Sequence, residues 1–331
     1  NNADRLPWRS FHPHLNGNPA MKIAIIGSGG VGGYFGARLA ASGQDVTFVA
    51  RGAHLEALQK NGLKVFSALG DLHLPEVKAT KDTTVIGPVD VVMIAVKLWA
   101  TEEAAQSAKP LIGPNTVAVS FQNGVVAVDT LLPILGKEHV MGGVANIAAL
   151  IESPGVIRHN GNMANLCFGE LDGKPSARSQ ALFVACKIAN IQTELVSDIN
   201  STIWEKFVRL VTLSALTSLT RMPVGPIRSD PDTRALMQQV MEEVVAIAKA
   251  RGVKFDAGLI AEQMARVDGY PPAMVASMCG DLRRGNRLEL PWLSGAVAKL
   301  GDELGVPTPA NHFVYAALKL YANGRPAEAQ I

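Results

Sequence analysis

The aliphatic run Lys22 to Gly27 (KIAIIG) leads without a break into Gly27-Ser28-Gly29-Gly30-Val31-Gly32, and a helix signal follows. A G-x-G-x-x-G between a buried strand and a helix has the makings of a pyrophosphate cradle. Its first glycine allows the tight turn, its second lets backbone approach the ligand, and its third permits close packing of helix on strand. The helix N-terminus adds amide donors and partial positive charge. Without that context the same residues make an ordinary glycine-rich turn; with it they point to dinucleotide binding. The next strand-like run, Asp45 to Ala50 (DVTFVA), ends at Arg51, where NAD-binding versions carry an acid for the ribose 2′-hydroxyl. A guanidinium there suits a 2′-phosphate instead, so the expected cofactor is NADP(H); the alternative is a solvated surface arginine.

Lys97, in Val96-Lys97-Leu98-Trp99, emerges just after the most apolar run of the chain. The carboxyl ends of parallel strands face the ligand crevice, which makes it a candidate contact, although position alone fits a solvated lysine nearly as well. Asn123, in Gln122-Asn123-Gly124, follows the next run in the same sense, and Asn-Gly is also a common turn pair. Lys206 lies among large apolar residues in Trp204-Glu205-Lys206-Phe207. A carbonyl reductase needs a proton donor beside the developing alkoxide, and a lysine with a burial-lowered pKa can serve; most lysines on amphipathic helices are simply solvated. Glu289 and Ser277 carry no signal of their own. The cluster Arg283, Arg284 and Arg287 reads as a solvated helix end complementing the dipole. The seven histidines are dispersed and neither H-E-x-x-H nor G-x-S-x-G occurs, so no metal site and no serine nucleophile is expected.

To bring such groups together the chain needs a sheet and something to close over it. From Met21 short aliphatic runs alternate with amphipathic stretches, the pattern of an α/β fold with a parallel sheet. Residues 22–27, 45–50, 91–96, 116–120 and 140–141 are expected strands and 34–42 the first crossover helix, with 156–159 and 165–168 as a mixed extension. Beyond about Ser197 apolar residues recur three and four apart, over 198–220, 231–251, 257–267, 272–284, 291–304 and 310–322, so the second domain is expected to be all-helical. The site then falls in the cleft between the two. Residues 1–20 read as a tail lacking the apolar core of a secretory signal.

A chain of 331 residues makes roughly two domains, and its 48% hydrophobic and 18% charged composition excludes disorder as the main state. Lys plus Arg number 31 against 29 Asp plus Glu, a balance that argues against a nucleic-acid footprint or an acidic-membrane binder. The longest aliphatic run, Val91 to Val96, falls far short of the roughly 18 to 20 residues of a membrane span. Three widely spaced cysteines suggest neither a disulfide framework nor a zinc knuckle and fit a cytoplasmic setting. A homodimer and a monomer fit the apolar helical faces equally.

Taken in order, KIAIIGSGGVGG, the strand-end Arg51, VKLW, QNG, Trp204-x-Lys206, Ala276-Ser277-Met278, and Glu289 with Gly295 resemble the ketopantoate reductase family from Met21 to about Gly301. The resemblance implies a Rossmann-type NADP-binding domain over 21–197. After it comes a helical substrate domain over 198–326, of the type that closes 6-phosphogluconate dehydrogenase. It implies NADPH-dependent reduction of 2-dehydropantoate to pantoate in pantothenate biosynthesis, with hydride transfer to the 2-oxo carbon. Lys206 matches the family's general acid, Asn123 a residue shared between cofactor and substrate, and Ser277 a substrate-binding hydroxyl. Glu289 matches a residue that contacts the nicotinamide side and helps hold the lysine. Gly27, Ser28, Gly29, Gly30, Val31 and Gly32 match the pyrophosphate loop, Arg51 and Lys97 contacts on the adenosine side, and Ala148 a backbone contact.

The family's asparagines four and eight residues after the lysine, and a polar residue after the next proline, are here Leu210, Ser214 and Val224. Residues 206, 210 and 214 share one helix face, so Leu210 and Ser214 are expected to line the substrate. A leucine then stands where an amide would bind a hydroxyl or carboxylate. This leaves two alternatives: a reductase of a more apolar 2-oxo acid or ketone, and a non-catalytic NADP(H)-sensing regulator.

Overall fold

The computed structural model describes residues 20–329. The tail expected over 1–20 lies outside the described residues, Ala20 excepted. Ten strands among the described residues form one mixed sheet: β1 (Lys22–Ile26), β2 (Asp45–Val49), β3 (Leu63–Phe66), β4 (Leu72–Leu74), β5 (Lys78–Thr80), β6 (Val91–Ile94), β7 (Val117–Ser120), β8 (Val140–Ser153), β9 (Val156–Glu170) and β10 (Gln192–Leu195). Six of them run parallel in the order β5-β2-β1-β6-β7-β8. This is the doubly wound order of dinucleotide-binding sheets, whose direction reverses between the first strand and its neighbour β6. The loops leaving β1 and β6 therefore flank one crevice.

β6 is buried along its whole length, as a strand covered on both faces must be, and apolar side chains pack in separate cores on either side of the sheet. Helices α1 (Gly30–Ala41), α2 (Gly52–Asn61), α3 (Thr101–Ala108), α4 (Ala127–Leu135) and α5 (Ala177–Ile188) belong to this part of the chain. Beyond the tenth strand come α6 (Ile199–Thr220), α7 (Val224–Ser229), α8 (Pro231–Ala250), α9 (Leu259–Asp268), α10 (Ser277–Arg284), α11 (Ser294–Leu304) and α12 (Pro309–Leu318). They enclose a third core.

Several features differ from the expected elements. α1 begins at Gly30 rather than Tyr34, because the glycines of the loop themselves form its first turn. β8 and β9 make one long antiparallel hairpin in place of a short strand and two fragments. Glycine and asparagine at 142, 143, 146 and 160–162 interrupt the apolar run without interrupting the ladder. β3, β4, β5, β10, α2 to α5 and α7 were not marked by periodicity; β4 and β5 are three residues long and lack a fully buried position. α10 starts at Ser277, five residues later than the pattern suggests, since Pro271 and Pro272 disfavour a helical start.

α6 joins the two parts. Asp198 caps it, accepting from the Ser201 amide at 2.9 Å, and Ile199 and Ile203 pack on β8 near Gly142 and Val144. One turn further on, Trp204, Phe207 and Val208 enter the helical core, each burial being worth about 1.5 to 3 kcal/mol. Lys206 lies at this junction. Within the helical part the buried Glu243 carboxylate accepts from the Ala310 amide (2.8 Å), the Asn311 amide (2.9 Å) and the Asn311 side chain (2.8 Å), so it caps α12 from α8.

Candidate active site

The loop after β1 divides its glycines by role. Gly27 has φ +95°, a left-handed turn that favours glycine. A Cβ on Gly32 would lie 2.2 Å from the Gly27 carbonyl oxygen, so that residue is required by packing alone. A Cβ on Gly29 would meet nothing within 4 Å. Gly29 is the N-cap of α1 and makes no side-chain cap, and the first turn holds no acidic residue. The amides of Gly30, Val31 and Gly32, in the first turn of α1, are therefore left without an intrahelical acceptor. An uncapped helix end beside a free cradle fits an anionic pyrophosphate.

Ser28 enters the site by backbone alone: its hydroxyl is buried and donates to the Val49 carbonyl at 3.1 Å. His54 on α2, which carries no motif signal, props this loop. The Gly155 amide donates to His54 Nδ1 at 3.1 Å, so Nε2 carries the proton and donates to the Ser28 carbonyl at 2.8 Å. Burial lowers the His54 pKa, against the Ser28 bond, which favours this neutral form. Ala148 sits at the irregularity of β8 between Ile147 and Ala149, and the Ala149 carbonyl lies against Gly30.

Arg51, the N-cap residue of α2, pairs with Glu103 on α3 at 2.6 Å. Both are exposed, and the hydrogen bond from Arg51 holds the Glu103 carboxyl below its ordinary range. Exposed pairs of this kind are weak, so a phosphate can exchange with Glu103 at little cost.

Lys206 donates to the Ala145 carbonyl of β8 at 2.6 Å and to Asn123 Oδ1 at 3.0 Å. Gln122 fixes the loop carrying Asn123, donating to the Val96 carbonyl at 3.0 Å and to Thr101 Oγ1 at 2.8 Å. Desolvation lowers the Lys206 pKa to about 8; the Arg209 charge adds to this and Glu289 opposes it. Glu289 is not among the hydrogen-bond acceptors of Lys206, so it acts across space rather than by contact.

Glu289 is buried, and its Oε1 accepts from the Leu98 amide at 3.1 Å, a bond between residues 191 apart. Lys97 pairs with Asp281 at 3.0 Å and with Glu289 at 3.6 Å. Burial opposes the Lys97 charge, but the two carboxylates outweigh it and the pKa is raised. Arg287 lies over both Trp99 and Trp292, 4.8 Å and 5.7 Å from their ring centroids. Arg284 pairs with Asp281, and Arg283 donates to the Arg221 carbonyl. The basic cluster is exposed, as expected of a solvated helix end, with Arg283 and Arg284 in the last turn of α10, and its members also make these contacts.

On the substrate side the expected residues separate. Ser277 is exposed at the first position of α10. Leu210 is part-buried against the helical core. Val224 is wholly buried in that core and lines no open surface. The Ser214 hydroxyl is also buried, with no hydrogen-bond partner. No cluster of His, Cys, Asp and Glu able to hold a metal exists among the described residues.

Residues 23–173 match the family described as "Ketopantoate reductase PanE/ApbA", and residues 198–322 match its C-terminal counterpart. The chain belongs to the ketopantoate reductase family. Within it, the 2-dehydropantoate 2-reductase of Mesorhizobium japonicum is 34% identical, over 91% of this chain and 98% of that protein. The crystal structure of a PanE/ApbA family ketopantoate reductase from Ralstonia eutropha JMP134 is similar with TM-score 0.83 and 32% identity, covering 91% of this chain and 98% of that one. A D-mandelate dehydrogenase solved with NADH and anilino(oxo)acetate, 20% identical with TM-score 0.84 over 91% of this chain and 98% of its own, shares the fold. As a ketopantoate reductase family member this chain is an oxidoreductase using a nicotinamide dinucleotide, and the Gly29 cradle and α1 amides fit that cofactor. No helix among the described residues is long and apolar enough to cross a membrane.

Proposed function

We propose that the protein reduces 2-dehydropantoate to pantoate with NADPH, the reduction that serves pantothenate biosynthesis, and that Lys206 is its proton donor. Lys206 carries the reading: two of its three ammonium protons are committed, to Asn123 and Ala145, leaving one for a substrate oxygen. Bound dinucleotide supplies the hydride for the 2-oxo carbon. Lys206 then gives a proton to the oxygen that would otherwise become an alkoxide, and its lowered pKa brings it close to the working pH. Asn123 holds the ammonium in place, Ser277 offers a hydroxyl to the substrate, and Glu289 supports the charge on Lys206 until the proton leaves.

NADPH is favoured by Arg51, whose exposed guanidinium stands at the end of β2 on the adenosine side. Arg51→Asp is expected to weaken NADPH binding about 10- to 100-fold and to leave NADH binding within about threefold, measured by fluorescence titration. Equal losses for both would remove Arg51 from phosphate recognition.

Leu210 favours a second reading, a 2-oxo acid without a side-chain hydroxyl, because it puts a methyl-bearing side chain on the Lys206 face of α6. The deciding measurement is kcat/KM for 2-dehydropantoate against 3-methyl-2-oxobutanoate, which lacks the hydroxymethyl group. A value of about 10⁴ M⁻¹s⁻¹ or more for 2-dehydropantoate, with at least about a tenfold preference for it, supports the first reading. The reverse preference supports the second. In that case Leu210→Asn should move the ratio toward 2-dehydropantoate by about 5- to 100-fold.

A further inference from the structure

Asp281 has no place in the reading above, yet it is a buried carboxylate at the crevice with a built surrounding. Its Oδ1 accepts from Arg284 at 2.8 Å and from the Asn286 side chain at 3.2 Å, and its backbone carbonyl accepts from the Asn286 amide at 2.9 Å. Its Oδ2 is left for Lys97, 184 residues away in sequence and 3.0 Å away in space. The other carboxylate within reach of Lys97 is Glu289, at the longer distance of 3.6 Å. Lys97 is thus shared unequally, and the nearer partner is Asp281.

We propose that Asp281 is a positioning residue that takes the Lys97 ammonium, so that the Glu289 carboxylate keeps its charge for Lys206. Four cations, Lys97, Lys206, Arg209 and Arg284, meet two anions, Asp281 and Glu289, at this junction, and Arg284 takes only the Oδ1 of Asp281. Lys206 is faced by Arg209 from its own helix, by Glu289 from the segment before α11, and by the neutral oxygens of Asn123 and Ala145. Glu289 is the single anion in this set, so whatever neutralises it weakens the hold of Lys206 on its proton. Without Asp281, Lys97 has one carboxylate left, and the Leu98 amide already ties the Lys97 loop to Glu289. Removing Lys97 instead frees Glu289 and has the opposite sign.

The inference rests on the proposed role of Lys206, so its test reads Lys206 directly as well as through turnover. The rate of acetylation of Lys206 by acetic anhydride is followed against pH by peptide mass spectrometry on the dinucleotide-free protein. Asp281→Asn is expected to lower the Lys206 midpoint by about half a unit, giving about threefold more free amine at pH 7. Asp281→Glu should restore it, and Lys97→Met should raise it. The alkaline limb of kcat/KM should move with each midpoint. Curves superimposable on the wild type in folded Asp281→Asn, or shifts of the same sign in Asp281→Asn and Lys97→Met, would overturn the proposal. If Asp281→Asn fails to fold, the Lys97→Met shift decides alone: a rise supports the proposal, and no shift or a fall overturns it. Wild-type protein that turns over no 2-oxo acid would defeat the proposed function and leave the labelling result to stand or fall separately.

Discussion

Lys206→Ala is expected to lower kcat for the 2-oxo acid by about 10² to 10⁴, the usual contribution of a positioned general acid, with the Kd for NADPH within about twofold of wild type. Removing the ammonium vacates a place whose remaining partners are an amide oxygen and a backbone carbonyl, which water can satisfy, so the fold is expected to survive. Lys206→Arg separates charge from proton donation. Its guanidinium stays positive but does not release a proton at any working pH, and the variant should be nearly as inactive as the alanine one. The pH dependence has a definite sign. The acid must be protonated to act, and its pKa is lowered to about 8, so kcat/KM in the wild type should fall as pH rises through about 8. Steady-state NADPH oxidation across that range measures all three proteins, and a wild-type turnover number in either variant would remove Lys206 from the chemistry.

How much of this was legible in the sequence depends on how local the physics is. The β1–loop–α1 unit was readable because strand, turn and helix lie within some twenty consecutive residues and each glycine answers a local demand. The helical half was readable because α6 and α8 carry buried residues three and four apart over five or more turns. The β8–β9 hairpin was not, since its glycines and asparagines break the apolar pattern while the backbone ladder continues. In the site, Lys206 looked like any lysine on an amphipathic helix. Its lowered pKa comes from desolvation, with the Arg209 charge adding to it, and the partners that hold its ammonium lie on β8 and in the loop after β7, which sequence spacing does not bring near it. Asp281 and His54 carried no signal at all, because each depends on one partner more than 90 residues away, Lys97 and Gly155 respectively. Ser214 and Val224, placed by resemblance where substrate would lie, are buried here, and of the three departures only Leu210 keeps exposed surface.

The same methyl group placed at two glycines of one loop should have opposite consequences. Gly29 has φ −77° and ψ −154°, a conformation open to any residue, and an added Cβ meets no atom within 4 Å. Gly29→Ala therefore costs the fold nothing sterically, and the reduced freedom of the unfolded chain favours it by up to about 1 kcal/mol, offset by alanine's weaker N-cap preference. The methyl instead occupies the space through which a pyrophosphate must approach the α1 amides. Charge-assisted bonds to those amides are worth about 1.5 to 3 kcal/mol each, so the Kd for NADPH should rise at least about tenfold while the Tm stays within about 2 °C of wild type. Gly32→Ala drives its Cβ to 2.2 Å from the Gly27 carbonyl oxygen and 2.8 Å from Ile25 Cγ2, where the obstacle is β1 and its own turn. Overpacking of that kind costs about 1 to 3 kcal/mol, and the Tm should fall by roughly 5 °C. Calorimetry with and without NADPH reads both variants. Wild-type binding by Gly29→Ala would mean that the open space above α1 is not where the pyrophosphate sits.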